Sequence, residues 1–423
     1  MKKSIIILLC AIMLMGLVVM QSGSAANKYE GKKLTVLYMS SVYADAAKKV
    51  ATEFKKQTGA DVEVVDFPYV TLHEKEVLDL SSNTGAYDVI SVACQWDGEM
   101  APFLTTLDPY IKRDKYDKSD IINNVLNQAG SWNGKITGIP HANTPYTLAY
   151  RTDLVKSVPK TWDEYLALCK KLTDKSKNFY GVSIPGVKEQ FSSLFYIRLW
   201  SMGGAWADPN WKAAIDSPQT RKALIHCKEL FNYADPAASS WGLSESINAF
   251  LQGKAAFCEA WPTLGITLDG DNPEKSKIVG KWATAPFPYD KTGITNLSAW
   301  DLSIPKATKN KDLAWEWIKF YTSKENQNKF YKDYAICSPR KSFWNQPEIK
   351  TSKIASLRTA LDTAIIWWRL PASTEADKGL GIAAGQYISG QADLESTVKL
   401  MKKTIVDALK ASPPPAGVKN TNR

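Results

Sequence analysis

The sequence predicts an α/β protein of two lobes, each a mixed sheet flanked by helices. From residue 34 onward, short apolar β-type runs alternate with helix-period segments, the pattern of βα units around a parallel or mixed sheet. Once an N-terminal leader is set aside, about 400 residues remain, more than one hydrophobic core takes.

The leader covers Met1 to Ala26. Lys2 and Lys3 precede an apolar run from Ile5 to Met20 and then the small residues Ser22 to Ala26, the order of a secretory signal peptide, with cleavage expected after Ala26. The run falls short of the roughly 20 apolar residues that span a bilayer. Cys10 follows Leu9, where a lipid-attachment signal takes a small residue, so it is read as a passenger. No later stretch is apolar enough to cross a membrane, so the mature chain is expected to be soluble and extracytoplasmic.

The formal net charge of +10 is spread along the chain without a basic arm, which argues against nucleic acid as a partner. After the leader, Cys94, Cys169, Cys227, Cys258 and Cys337 remain. Odd in number and widely spaced, they make neither a zinc set nor a complete disulfide framework, and at least one is a free thiol.

Leu34 to Met39 is the first expected strand, Ala44 to Gln57 a helix ended by Gly59, and Asp61 to Asp66 a second strand. A helix over Leu72 to Leu80 and a strand over Asp88 to Ala93 complete a βαβαβ start. Thr161 and Glu164 form a capping box opening a helix to about Leu172. A strand is expected at Gly181 to Pro185, then helices over Lys188 to Met202, Ser217 to Tyr233 and Ser244 to Gln252. Lys254 to Glu259 and Asp301 to Pro305 read as strands, and Lys311 to Tyr321 as an amphipathic helix with Ala314, Trp317, Ile318 and Tyr321 on one face. Gly379 to Gly390 reads as a helix among turns, because its glycines lack dinucleotide spacing. The tail, residues 411–423 with Pro413 to Pro415, is expected to be disordered.

Short pieces in a fixed order then carry a resemblance. They include Ala46 to Gly59, Tyr87 to Ile90 with Trp96 and Leu107-Asp108 behind, Trp132 to Lys135, Gly138 to Pro140, Ala149 to Leu154, and Pro159 to Glu164. Phe250 to Ala256, Trp261, Ile304-Pro305, Lys309-Asn310, Ala314 to Ser323, Ser338 to Arg340 and Gln391 to Glu395 follow. The chain resembles the carbohydrate-type extracellular solute-binding proteins of ABC importers, the maltose- and trehalose-binding group. That resemblance implies a two-lobed periplasmic-binding-protein fold joined by crossover hinge segments. Residues 27–142 and 297–338 would form the first lobe, and residues 143–296 and 339–410 the second.

A sugar offers hydroxyl rims and C–H faces, so its site combines hydrogen-bonding side chains with aromatic platforms. The chain has 15 tryptophans. Any one of them is by default core, and Trp162, Trp282, Trp315 and Trp317, inside helical or strand patterns, are assigned to it. At positions matching the family's contact regions, Trp96 would stack and Asp97 would accept hydroxyl hydrogen bonds, unless Asp97 only caps the next helix. Tyr43 follows the first strand. Asn143 and Thr144 would hydrogen-bond and Tyr146 stack at the first crossover, whereas His141, without a second histidine nearby, reads as structural. Trp261 and Trp300 are expected in the cleft, although Ser298 and Ala299 stand where relatives often carry glycines. Trp368 and Arg369 match a late contact segment, with a structural ion pair as the competing role for Arg369. Trp206 and Trp241 rank lower.

The implied partners are a small-molecule carbohydrate and ABC permease membrane subunits, with a monomer, no cofactor and no metal expected. The chain lacks nucleophile-elbow, zinc-helix and phosphate-loop motifs. An exported glycosidase stays open, because Asp97 and Glu259 could face each other as a carboxylate pair. A chemoreceptor or sensor is an alternative partner. The positive charge and Arg369 admit an acidic sugar, and the tryptophans favour a neutral one.

Overall fold

The computed structural model of the protein describes residues 28–186, 191–366, 369–371, 373–414 and 417–420. Residues 1–27, with the expected leader, and Trp367 and Trp368 lie outside them.

Strand β1 (Lys33–Met39), helix α1 (Val42–Thr58), strand β2 (Asp61–Phe67), helix α2 (Tyr69–Ser82) and strand β3 (Val89–Ala93) follow in the predicted order. Ser41 caps α1 by accepting from the Tyr43 amide, and Gly59 closes it in the left-handed conformation at φ 83°. Three parallel strands would expose β3 as an edge. Strand β4 (Gly138–Pro145) and, much later, strand β9 (Leu297–Ser303) complete the sheet in the order β2-β1-β3-β9-β4, with β9 antiparallel to both neighbours.

The second sheet is built from β5 (Thr147–Arg151), β6 (Tyr180–Ser183), β7 (Ala255–Ala260) and β8 (Trp282–Ala285) in the order β8-β5-β7-β6. Helices α3 (Trp162–Leu172), α4 (Phe191–Ser201), α5 (Pro218–Leu230) and α6 (Leu243–Leu251) belong to this lobe. Thr161 caps α3 as its sequence implied, while Glu164 reaches back one residue further, to the Lys160 amide at 2.8 Å. Helices α7 (Lys311–Tyr321) and α8 (Lys324–Tyr334) return to the first lobe, and α9 (Ser373–Ile388) and α10 (Leu394–Ala411) end the second.

Each sheet has its own core. Leu37, Ile90, Leu302 and Trp317 are central to the first, and Phe195, Trp200, Leu224 and Phe257 to the second. A third cluster draws Cys94 and Val125 together with Phe250, Leu297, Cys337 and Leu361 at the junction. The chain passes between the sheets at Pro145–Thr147 and again between β8 and β9. Residues 337–366 run along this junction, where Leu297 and Ile365 are bonded at 2.8 Å.

His141 to Tyr146, read as the start of a crossover, is strand β4 through Pro145 and leads into the passage between the sheets; pairing with β9 satisfies its backbone despite its polar side chains. One expectation needs correction: the tail is not free. The Trp211 indole donates to the Val418 carbonyl at 2.8 Å, and the Asn420 amide donates to the Pro209 carbonyl at 3.1 Å. Prolines stop the helix, but the residues after them find partners on the second lobe.

The five cysteines Cys94, Cys169, Cys227, Cys258 and Cys337 are all free and buried. Burial pushes the Cys94, Cys227 and Cys258 thiols up to about 12, so they are unreactive packing groups.

The second lobe closes around one buried charge pair. Arg198 of α4 donates to both carboxylate oxygens of Glu259 on β7, at 3.1 and 2.6 Å, and both side chains are fully buried. Tyr165 donates to the same carboxylate at 2.9 Å, His226 accepts from Arg198 at 2.9 Å, and the guanidinium lies over the Trp162 ring. Removing one partner strands the other charge, at a cost of about 3–5 kcal/mol. Glu259→Gln is therefore expected to lower the urea midpoint of the second lobe sharply, whereas replacing the exposed partner in Lys33–Glu63 should shift it by less than about 1 kcal/mol.

Candidate functional site

Ligands of open α/β sheets bind beyond the carboxyl ends of the strands. Three aromatic residues leave the first sheet there: Tyr43 after β1, Tyr69 after β2 and Trp96 after β3. Trp300 on β9 joins them. The Trp96 and Trp300 rings meet edge to face at 5.6 Å, Tyr69 lies 4.8 Å from Trp96, and Tyr43 lies 6.0 Å from Trp300. His73, one turn into α2, packs on Trp96 at 4.7 Å and meets Glu99 at 2.9 Å. Tyr69, 41% exposed, is the member open to solvent, and its hydroxyl accepts from Gln95.

Trp300 and Asp301 are separated by a register shift against β4, the kind of irregularity that re-aims side chains. Asp301 turns into the sheet, where Gly138 makes room: a Cβ there would stand 1.7 Å from Asp301 Oδ1. Behind the aromatic wall, Asp301, Asp97 and Glu76 gather as buried acids. Burial raises both Asp97 and Asp301, and the negative charge of Asp97 raises Asp301 further, so Asp301 is the protonated partner. Glu76, with neither carboxyl oxygen hydrogen-bonded, is pushed well above the usual range by burial and then by Asp301.

One cation answers them. Arg369 pairs with Asp97 at 2.5 Å, donates to the Asn127 carbonyl at 2.9 Å and to the Ser131 carbonyl, and lies over Trp132. Its close approach requires Gly98, whose Cβ would sit 1.5 Å from the Arg369 carbonyl oxygen.

From the second lobe, Trp261 leaves the end of β7, half-buried, and meets Tyr146 edge to face at 4.5 Å. Its indole nitrogen is buried without a partner. Asp377 on α9 is flanked by the Ser192 and Tyr196 hydroxyls of α4, and Tyr69 of the first lobe feels its charge.

The structure thus brings Trp96, Trp300 and Tyr43 together in one wall, with Trp261 at the edge of the other lobe. Asp97 and Arg369, expected as ligand contacts, are engaged with each other, and among the described residues neither has another opposite charge as partner. Tyr146 is fully buried, stacked on Phe287 and bonded to the Glu259 carbonyl at 3.0 Å, so it is core. Asn143 donates to the Cys337 carbonyl at 3.2 Å and thereby ties the junction, and Thr144 is buried beside it on β4. Trp368 lies outside the described residues. His141 is bonded to Ser91 at 2.9 Å, and burial lowers it to about 3, as a structural histidine. Tyr69, His73 and Asp377 were not singled out from the sequence. Tyr69 was findable, because Pro68 marks a strand-to-helix turn at the same level as Tyr43 and Trp96.

A family model described as bacterial extracellular solute-binding protein matches residues 40–328. The chain belongs to this family. Among curated relatives, a probable amino-acid ABC-transporter periplasmic-binding protein of Sinorhizobium fredii is 26% identical over 71% of each chain. An erythritol/L-threitol-binding protein of Mycolicibacterium smegmatis is 23% identical over 72% of this chain and 69% of its own. A solute-binding protein of Agrobacterium radiobacter in complex with ribitol superposes with a TM-score of 0.80 at 29% identity, covering 90% of this chain and 99% of its own. Maltose-bound MalE3 of T. maritima shares the fold at a TM-score of 0.79 and 24% identity, over 89% and 99% of the two chains.

The raised carboxyls set a pH dependence. Glu76 and Asp301 bind protons in the folded state that they release when unfolded, so their contribution is complete below about pH 4 and is lost as pH rises. Glu76→Gln, neutral at all pH, is expected to match the parent near pH 4 and to melt above it at pH 8, by roughly 2–4 °C for each kcal/mol removed. Thermal melts across that range check it.

Proposed function

We propose that this solute-binding protein captures a neutral sugar or polyol between its lobes and delivers it to the membrane subunits of an ABC importer. The wall of Trp96, Trp300, Tyr69 and Tyr43 carries the reading, because flat aromatic faces suit the C–H faces of a polyhydroxylated chain or ring. Trp261 supplies an aromatic face and a waiting indole donor from the opposite lobe. The bound ligands of the ribitol and maltose complexes, and the named ligand of the erythritol/threitol relative, support the same class.

The protein acts outside the cytoplasm as a monomer, after removal of residues 1–26, and supplies recognition only. Hinge motion at Pro145–Thr147 and along 337–366 closes residues 27–142 and 297–338 onto the rest of the chain, and the closed form docks on the permease. Hydrolysis is disfavoured by two observations. Asp97 is paired with Arg369, and Glu259 lies under the second core with Arg198, so these two carboxylates do not flank a bond.

Titration of the mature protein with ribitol, mannitol and maltose, followed by tryptophan fluorescence, is expected to saturate with at least one of them. Trp96→Ala or Trp300→Ala should weaken that ligand about tenfold, the equivalent of about 1.4 kcal/mol. A folded protein that responds to no sugar or polyol, and instead to an amino acid, would overturn the assignment.

A further inference from the structure

Two tryptophans that the aromatic wall does not use line a pocket of their own. The two-residue turn Asn133-Gly134, with φ of 46° and 74°, closes a hairpin of Ser131-Trp132 on Lys135-Ile136, the left-handed pair that Asn-Gly supplies most readily. It presents Trp132, half-buried against the second core, with the Arg369 guanidinium 5.3 Å from its ring centre. The other is Trp211, in the loop between α4 and α5. Its φ of 65° lies in the left-handed region that a bulky side chain avoids. The loop enforces it: the Asp208 carboxylate accepts from the Asn210 and Lys212 amides at 2.8 and 2.9 Å, and the Trp211 amide donates to the Asp208 carbonyl at 3.0 Å. Strain of this kind persists only where the surroundings over-determine it, and it collects at ligand clamps. Filling a core does not call for it.

The pocket between them holds about 310 Å³, at the lower end of the range of small-molecule sites. Asn127, Asn133 and Lys419 also line it, so amides and an ammonium stand around two indoles. One wall is the C-terminal segment, which is tied down. The Trp211 indole donates to the Val418 carbonyl, and Lys419 donates to the Asn210 side chain at 2.6 Å. The Asn420 side chain, 3% exposed, donates to the Ala207 and Asp208 carbonyls at 3.1 and 3.3 Å. Flat indole faces match the C–H face of a sugar ring, and amides and an ammonium match its hydroxyl rim. We infer that this pocket is a second carbohydrate site: it takes one pyranose ring against Trp132 and Trp211, with Asn127, Asn133 and Lys419 on its hydroxyls. None of its lining residues belongs to the wall of Trp96, Trp300, Tyr69 and Tyr43, and the Asp97–Arg369 pair links the two. The pocket is present whatever the cleft captures, so it stands apart from the solute proposed above.

In mature protein labelled with 5-fluorotryptophan, the Trp132 and Trp211 fluorine signals are assigned by replacing each with Phe. Glucose, maltose and ribitol would then be titrated into the parent, Trp96→Ala, Trp211→Gly and Asn133→Gly, with circular dichroism reporting folding. The two signals are expected to move together and saturably with glucose and with maltose, and not with ribitol, whose open chain has no rigid C–H face. Their midpoint should be the same in Trp96→Ala as in the parent. Trp211→Gly, which suits the left-handed backbone, should weaken the Trp132 response by about tenfold or more. Asn133→Gly, which keeps the turn, should weaken it about 3- to 10-fold. Trp132 and Trp211 signals that no pyranose moves would overturn the inference even if no variant folds. So would a midpoint that follows the cleft and shifts in Trp96→Ala, or an unchanged Trp132 response in folded Trp211→Gly. Equal responses to ribitol and glucose would overturn the assignment to a pyranose.

Discussion

The ion pair of Asp97 and Arg369 is the contact on which the geometry of the cleft depends. Asp97 stands directly after Trp96, and Arg369 lies on the segment that runs from the junction into α9. Their bond sets the end of the aromatic wall against the root of the helix that carries Asp377. Gly98 lets the two backbones touch, and the carbonyls of Asn127 and Ser131 accept from the two terminal guanidinium nitrogens. A buried pair of this kind adds little net stability over an apolar replacement, but it tolerates few alternative arrangements. Its value here is positional.

The same economy explains the acids behind the wall. With one guanidinium among Asp97, Asp301 and Glu76, only Asp97 is well supported as a charge, and the others are held neutral. Ser303 donates to Asp301 at 2.7 Å, which favours the charged form, but burial and the charge of Asp97 outweigh it. The second lobe solves the equivalent problem differently, with a fully buried Arg198–Glu259 pair in a shell of Tyr165, His226 and Trp162. One lobe is thus centred on a satisfied charge pair and the other on protonated acids next to the aromatic wall.

Much of this was legible in the sequence where local pattern decides structure. The βαβαβ start, the Thr161 cap and the α7 helix follow from periodicity and capping chemistry, and Trp96 and Tyr43 follow from their places after strands. Strand β4 was not legible as a strand, because His141, Asn143, Thr144 and Pro145 lack an apolar alternation and the strand that pairs with them, β9, lies far along the chain. The partnership of Asp97 with Arg369 joins residues far apart in the chain, and no spacing rule predicts it. Asp377 was hidden for another reason: inside an unremarkable helix, a lone acid is ordinarily solvated. Only the fold shows that this one is not.

The place of β9 also bears on how the protein comes into being. The first three strands are made early, yet β3 stays an open edge until residues 297–303 slot between it and β4. The amino-terminal lobe therefore cannot finish folding before most of the chain is synthesised, since long-range pairing must wait for its partner. Until then the open edge of β3 is a place where a wrong strand could pair, so the order of synthesis leaves this sheet the part of the molecule most exposed to mispairing.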